Sequence, residues 1–154
     1  MSAGRFQVRP AQVGDWPAWA GLRVELWPDC EREMADLREL IDADDSTCLL
    51  AFDADGKPVG LAEASLRHDY VNGTSSSPVG FLEGWFVHEP LRGTGIGRQL
   101  IDAVAQWARN RGCSELASDT GLDNHPAQAA HAACGFTEAE RVVYYRMPLV
   151  DARS

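Results

Sequence analysis

Apolar positions along this chain change period several times, and each change marks an element. Residues 6–10 alternate apolar and polar, the period-two pattern of a short strand. Trp16, Trp19, Leu22, Leu26 and Trp27 then recur at helical spacing. Asp15 stands where an N-cap belongs, and Pro28 stops the run. Trp16 and Trp19 are expected in the core, and Trp27 at the helix end, where a loop exposes its ring. A second helix is expected over 31–44, with Met34, Leu37, Leu40 and Ile41 on one face and an acidic outer face. Residues 47–52 and 59–66 read as strands joined by a hairpin turn at 53–56. A loop rich in Asn, Gly and Ser covers 71–78.

The run 81–87 is apolar except for Glu83, and Gly84 sits in its middle. An interior strand glycine often marks a bulge, so one is expected at Gly84. A long helix is predicted over 95–111 with Gly112 after it, then a strand over 114–119 and a turn at 121–126. A helix over 126–134 is closed by Gly135, and a last strand, 137–149, alternates at Val142, Tyr144 and Arg146. The order β-α-α-β-β-β-α-β-α-β predicts an α/β fold, a mixed sheet with helices on both faces.

With 154 residues the chain is expected to form one domain, 1–154. Hydrophobic residues make up 45% and charged residues 24%, an ordinary globular balance. No apolar run approaches a membrane span, and residues 1–6 lack an apolar signal region, so a cytoplasmic location is expected. The formal net charge of −9 disfavours nucleic acid and suits a polycationic small molecule. Cys30, Cys48, Cys113 and Cys134 are scattered, without ligand spacing. Neither a metal nor a disulfide framework is expected.

The stretch Arg92-Gly-Thr-Gly-Ile-Gly-Arg98 lies between the apolar strand and the long helix. A glycine turn opening a helix presents unpaired backbone N–H groups and the positive end of the macrodipole, which suits phosphate. Walker A is excluded because no Lys-Ser or Lys-Thr follows, and the G-x-G-x-x-G spacing is missed by one residue. Arg92, Gly95 and Gly97 do fit [RQ]-x-x-G-x-[GA], the pyrophosphate motif of the GNAT (GCN5-related) N-acetyltransferases, and the element order is also that of this family. The chain resembles it throughout.

Further strings resemble, more narrowly, the aminoglycoside 6'-N-acetyltransferases. They are Gly21-Leu-Arg with Leu26-Trp-Pro28, Arg67-His-Asp-Tyr-Val-Asn-Gly73, Ser77-Pro78, Phe81-Leu-Glu-Gly84, Ala117-Ser-Asp-Thr120, His131 with Gly135-Phe136, and Glu140-Arg-Val with Tyr145-Arg146. The resemblance implies a mostly antiparallel GNAT sheet and acetyl transfer from acetyl-CoA to the 6'-amine of an aminoglycoside, and transfer is expected to be direct because no cysteine lies where an acyl-enzyme would need it. It implies that Trp27, Tyr70, Glu83 and Asp119 contact the aminoglycoside. It also implies a homodimer in which Glu140 reaches the partner's site. It places acetyl-CoA on Trp85, Phe86 and Val87, on Arg92, Gly93, Thr94, Gly95, Ile96, Gly97 and Arg98, and on Asn124.

Residue chemistry agrees. Trp27 and Tyr70 offer ring faces to a sugar or an ammonium group, and Glu83, Asp119 and Glu140 are counter-charges. Glu83 and Asp119 are the candidate proton acceptors. Desolvation in an apolar strand would make Glu83 the better base of the two. Tyr145 is a candidate proton donor to the leaving thiolate, and also a plausible core aromatic. His68 and His131 are either acid/base groups or structural. Two other readings fit the same residues: a GNAT enzyme acting on a polyamine or peptide N-terminus, and a non-catalytic acyl-CoA sensor. Thiol release on a panel of amines separates the three.

Overall fold

The computed structural model describes residues 5–31 and 33–150. Residues 1–4, part of the stretch expected to lack a signal region, and Arg32, within the expected second helix, lie outside the described residues, as do 151–154. The elements are β1 (Gln7–Pro10), α1 (Trp16–Leu26), α2 (Met34–Asp42), β2 (Ser46–Phe52), β3 (Pro58–Arg67), β4 (Val79–Val87), α3 (Ile96–Asn110), β5 (Leu116–Ala117) and α4 (His125–Ala133). They form one five-stranded sheet in the order β1-β2-β3-β4-β5. The first four strands run antiparallel, and β5 joins β4 in parallel after the α3 crossover.

Both faces of the sheet are covered, which is why β2 to β4 read as nearly continuous apolar runs. Leu49, Ala51, Ala62 and Ala64 pack with Ile96, Leu100, Ile101 and Val104 of α3. Cys48, Leu50, Phe52 and Leu61 pack with Trp19 and Leu22 of α1 and Leu37 of α2. Trp19 is fully buried, whereas Trp16, at the first helical position, is 36% exposed, against expectation. The difference has a polar cause: the indole N–H of Trp19 meets a buried acceptor, Glu63 Oε2, at 2.9 Å. Asp15 holds the N-cap position without a capping bond. Its carboxylate accepts from the Gln12 N–H and the Arg9 guanidinium, tying β1 to the start of α1.

Two departures from the sequence reading shape the site. The first is the bulge. Glu63 of β3 lies opposite Gly84, but Ala64 lies opposite Leu82, so Glu83 is the extra residue. The bulge is centred on Glu83, one position before the expected glycine. An extra residue in one strand leaves one side chain out of the alternation. Glu83 is therefore exposed between buried Leu82 and buried Gly84. The apolar setting expected for Glu83 is absent.

The second departure is the C-terminal segment. Residues 137–149, where the last strand is expected, pair with no strand among the described residues. Tyr145 and Leu149 are each 92% exposed, and Val143 and Met147 are close behind at 73% and 79%. The alternation is present, but the segment pairs with neither edge of the sheet, β1 or β5. No described helix is long and apolar enough to cross a membrane.

Candidate acyl-transfer site

The β4–β5 ladder is short. It covers Gly80↔Leu116 and Phe81↔Ala117 and goes no further. Beyond it the two parallel strands separate, at their C-terminal ends, where ligands of open α/β sheets bind. Against β5 and the residues after it lies a cleft of ≈ 900 Å³ lined by Arg67, Tyr70, Phe81, residues 115–120, His131 and residues 135–144. Three of the aminoglycoside contacts expected from the sequence line it together, Tyr70, Asp119 and Glu140, as does the candidate acid/base group His131. Glu140 lines the cleft of its own chain. Tyr70 is 74% exposed, so its ring is free to cover a ligand. Among the described residues Asp119 forms no ion pair.

Glu83 stands at the cleft's edge in the grip of β3. Arg67 Nη2 donates to both of its oxygens, at 3.1 and 2.9 Å, and the Ser65 hydroxyl donates to Oε2. Arg67 is in turn laid over the Phe81 ring, 3.9 Å from its centroid. Both oxygens of this carboxylate are thus engaged by side chains of β3. Trp27 does not line the cleft and packs on β4 next to Glu83. Its ring rests on Gly84, where an added Cβ would meet the indole at 2.4 Å.

The glycine loop has the expected build. Gly95 is the residue before α3, with φ 99°, and no side chain caps this helix. Gly93 has φ 79°. A Cβ built on either would meet nothing within 4 Å, so the space in front of the helix N-terminus is open. Positive φ, an uncapped N-terminus and open space fit a pyrophosphate. Gly97 serves packing: a Cβ there would lie 3.3 Å from the Trp85 ring. Arg92 donates from Nε to the Val87 carbonyl at 2.9 Å, and Arg98 donates to the Ala133 carbonyl, so both guanidinium groups are anchored beside the loop. Asn124 is the N-cap of α4, its side-chain oxygen accepting from the Ala127 N–H.

Loop and cleft adjoin through Trp85. Its ring packs on Gly97 on one side and meets His131 edge-on, centroids 5.2 Å apart. His131 lines the cleft. Its Nδ1 lies 2.7 Å from the Ala127 carbonyl, which can only accept, so Nδ1 carries the proton. In the neutral ring Nε2 then accepts from the Ser118 hydroxyl, 2.8 Å away. Nδ1 is thus engaged within α4, and Nε2 ties α4 to Ser118, the residue after β5. His68 does not line the cleft.

Tyr145 also does not line it. At 92% exposure it is not the core aromatic that the alternation allowed. None of the four cysteines lines the cleft, and all are free. Burial pushes the Cys48 thiol well up, and desolvation raises Cys113 and Cys134 as well. Acyl-enzyme chemistry needs a thiolate, so these thiols are poorly placed and poorly tuned for it. The sequence assigns no role to two residues of this region. Arg67 was part of a motif without an assigned role, and Glu63 was read as an ordinary strand residue. The expected strand 59–66 includes Glu63 and stops one residue short of Arg67, which the structure adds to β3, and the bulge that brings Glu83 to Arg67 cannot be located from the pattern.

The family is shown by comparison. The chain belongs to the acetyltransferase (GNAT) family, whose model matches residues 11–136. Among its relatives is an aminoglycoside N(6')-acetyltransferase type 1 of Stenotrophomonas maltophilia, 52% identical over 97% of both chains. Another of the same name, from Salmonella typhimurium, is 50% identical over 83% of this chain and 89% of its own. The fold is similar to that of AAC(6')-Iy, solved in complex with a bisubstrate analog, CoA-S-monomethyl-acetylneamine. That match has a TM-score of 0.88 and 45% identity, covering 94% of this chain and 99% of that one. AAC(6')-Ih from Acinetobacter baumannii also superposes with TM-score 0.88, at 40% identity.

Proposed function

We propose that this chain transfers the acetyl group of acetyl-CoA to the 6'-amine of aminoglycosides. The observation that carries the reading is the junction at Trp85. There an open, uncapped helix N-terminus fit for pyrophosphate adjoins an acidic cleft fit for a polycation. Acetyl-CoA brings the activated thioester. The chain's part is to hold both substrates and to move protons. Arg92 to Arg98 hold the pyrophosphate end, with Asn124 beside it, and the free edge of Trp85 to Val87 holds the acyl arm. Tyr70 covers a sugar ring, while Glu83, Asp119 and Glu140 pair with ammonium groups.

In the reaction the amine nitrogen forms a bond to the thioester carbon and the carbon–sulfur bond breaks. The amine loses a proton and the departing thiolate gains one. Glu83 is bound by Arg67, so we assign it chiefly to orienting the ammonium, and Asp119 chiefly to accepting the proton, directly or through water. Transfer is direct within a ternary complex, consistent with the absence of a cysteine from the cleft.

We also propose that the enzyme works as a homodimer in which residues 137–150 complete their strand against a second copy. The support is the exposed alternation Val143, Tyr145, Met147, Leu149, together with an unpaired edge on β5. In that assembly Glu140 and Tyr145 approach the neighbouring site, where the Tyr145 hydroxyl can serve the thiolate. The function is tested with purified protein, acetyl-CoA and matched aminoglycosides. Those with a 6'-amine release thiol, and those with a 6'-hydroxyl do not. Equal turnover of both would place the acceptor elsewhere.

A further inference from the structure

Glu63 is the one buried charged side chain among the described residues, 3% exposed, and it sits opposite Gly84 at the β4 bulge. Its Oε1 lies 3.1 Å from Arg23 Nη1. The Arg23 guanidinium is sandwiched between two indoles, 5.0 Å from the Trp19 ring centre and 4.8 Å from that of Trp27. Trp27 in turn rests on Gly84. The chain of contacts closes: Glu63, Arg23, Trp27, Gly84, and back across the ladder to Glu63. A buried ion pair seldom adds net stability over apolar residues of the same volume, because desolvation offsets the attraction. Arg23 Nε even lacks a hydrogen-bond partner. Stability is thus a weak reason for this pair, whereas a fixed geometry at the bulge is a direct one.

We infer that Glu63 and Arg23 are positioning residues that set the Trp27 indole against the β4 bulge, fixing the wall of the aminoglycoside subsite beside Glu83. This rests on the reading that Trp27 and Glu83 face the aminoglycoside. The flat guanidinium holds the ring by its face, and Glu63 fixes the guanidinium. Neither residue touches substrate.

The test uses the full chain. Glu63→Leu combined with Arg23→Met removes both charges at similar volume, so neither is left buried alone. Arg23→Lys keeps the charge and loses the flat stack. Both are expected to raise the aminoglycoside KM about 10-fold, the scale of one lost ring contact. The acetyl-CoA KM should stay unchanged, while the double variant loses about 3–10 °C of Tm because the buried Trp19 N–H loses its Glu63 acceptor. A double variant that folds and keeps the aminoglycoside KM overturns the inference, as does an equal rise in both KM values. Trp27→Ala, measured alongside, separates the causes. If it leaves the aminoglycoside KM unchanged, the reading of Trp27 falls, and the inference with it. If it raises that KM while the double variant does not, only the inference falls.

Discussion

Gly84→Ala is the smallest change that reaches the acceptor wall. The added methyl would stand 2.4 Å from one indole carbon of Trp27, 2.9 Å from a second and 3.1 Å from Leu26 Cδ2. Carbon atoms settle at roughly 3.5 Å, so the ring must retreat by about 1 Å. If ring and strand both hold their places, the overpacking costs about 1–3 kcal/mol. For a chain of this length that lowers Tm by about 3–10 °C. Trp27 is half-buried, so it can also swing outward. The stability loss then shrinks and the subsite loses its wall. Either way the aminoglycoside KM rises, by about 10-fold, while the acetyl-CoA KM holds. Thermal denaturation and steady-state kinetics with each substrate varied read both effects. Adding Trp27→Leu should restore Tm to the Gly84→Ala protein without restoring KM. A Gly84→Ala enzyme with Tm within about 1 °C of the parent and an unchanged aminoglycoside KM would refute the packing argument.

Gly95→Asp, with a carboxylate in the open space before α3 and a side chain at φ 99°, is expected to abolish acetyl-CoA binding by calorimetry. Unchanged affinity in the folded variant would remove the loop from the cofactor site. Asp119→Asn should lose kcat by about 10²–10⁴-fold, with the loss shrinking as pH rises, whereas Glu83→Gln should act mostly on the aminoglycoside KM. The reverse pattern in the pH–rate profiles would return the base to Glu83. Asp15 is held below the usual carboxylate range, first by its hydrogen bond from Arg9. Its folded value is depressed, so its stabilisation is present above the ordinary carboxylate range and lost as pH falls through the folded value. The Tm gap between the parent and Asp15→Asn should therefore be widest above pH ~4 and close on acidification. Removing residues 137–150 should give a monomer by sedimentation, and a dimer that persists would place the interface elsewhere.

What the sequence determined is local. The strand–glycine–helix unit was legible because each part acts within a few residues. Gly93 and Gly95 take positive φ, and the apolar period of α3 begins at Ile96. The β2–β3 hairpin and the order of elements through α4 were legible for the same reason. The tertiary structure decided which side chains meet. A bulge shifts a strand's alternation by one, and its position depends on the ladder with β3, so Glu83 could not be told from a buried residue by its apolar neighbours. Arg67 lies 16 positions before Glu83, and Glu63 lies 40 after Arg23. These pairings arise from sheet register and helix docking, which no local pattern encodes. The last segment shows the same limit from the other side. Its alternation announces a strand, but a strand is a property of a pair, and residues 137–149 pair with no described strand although the β5 edge is free.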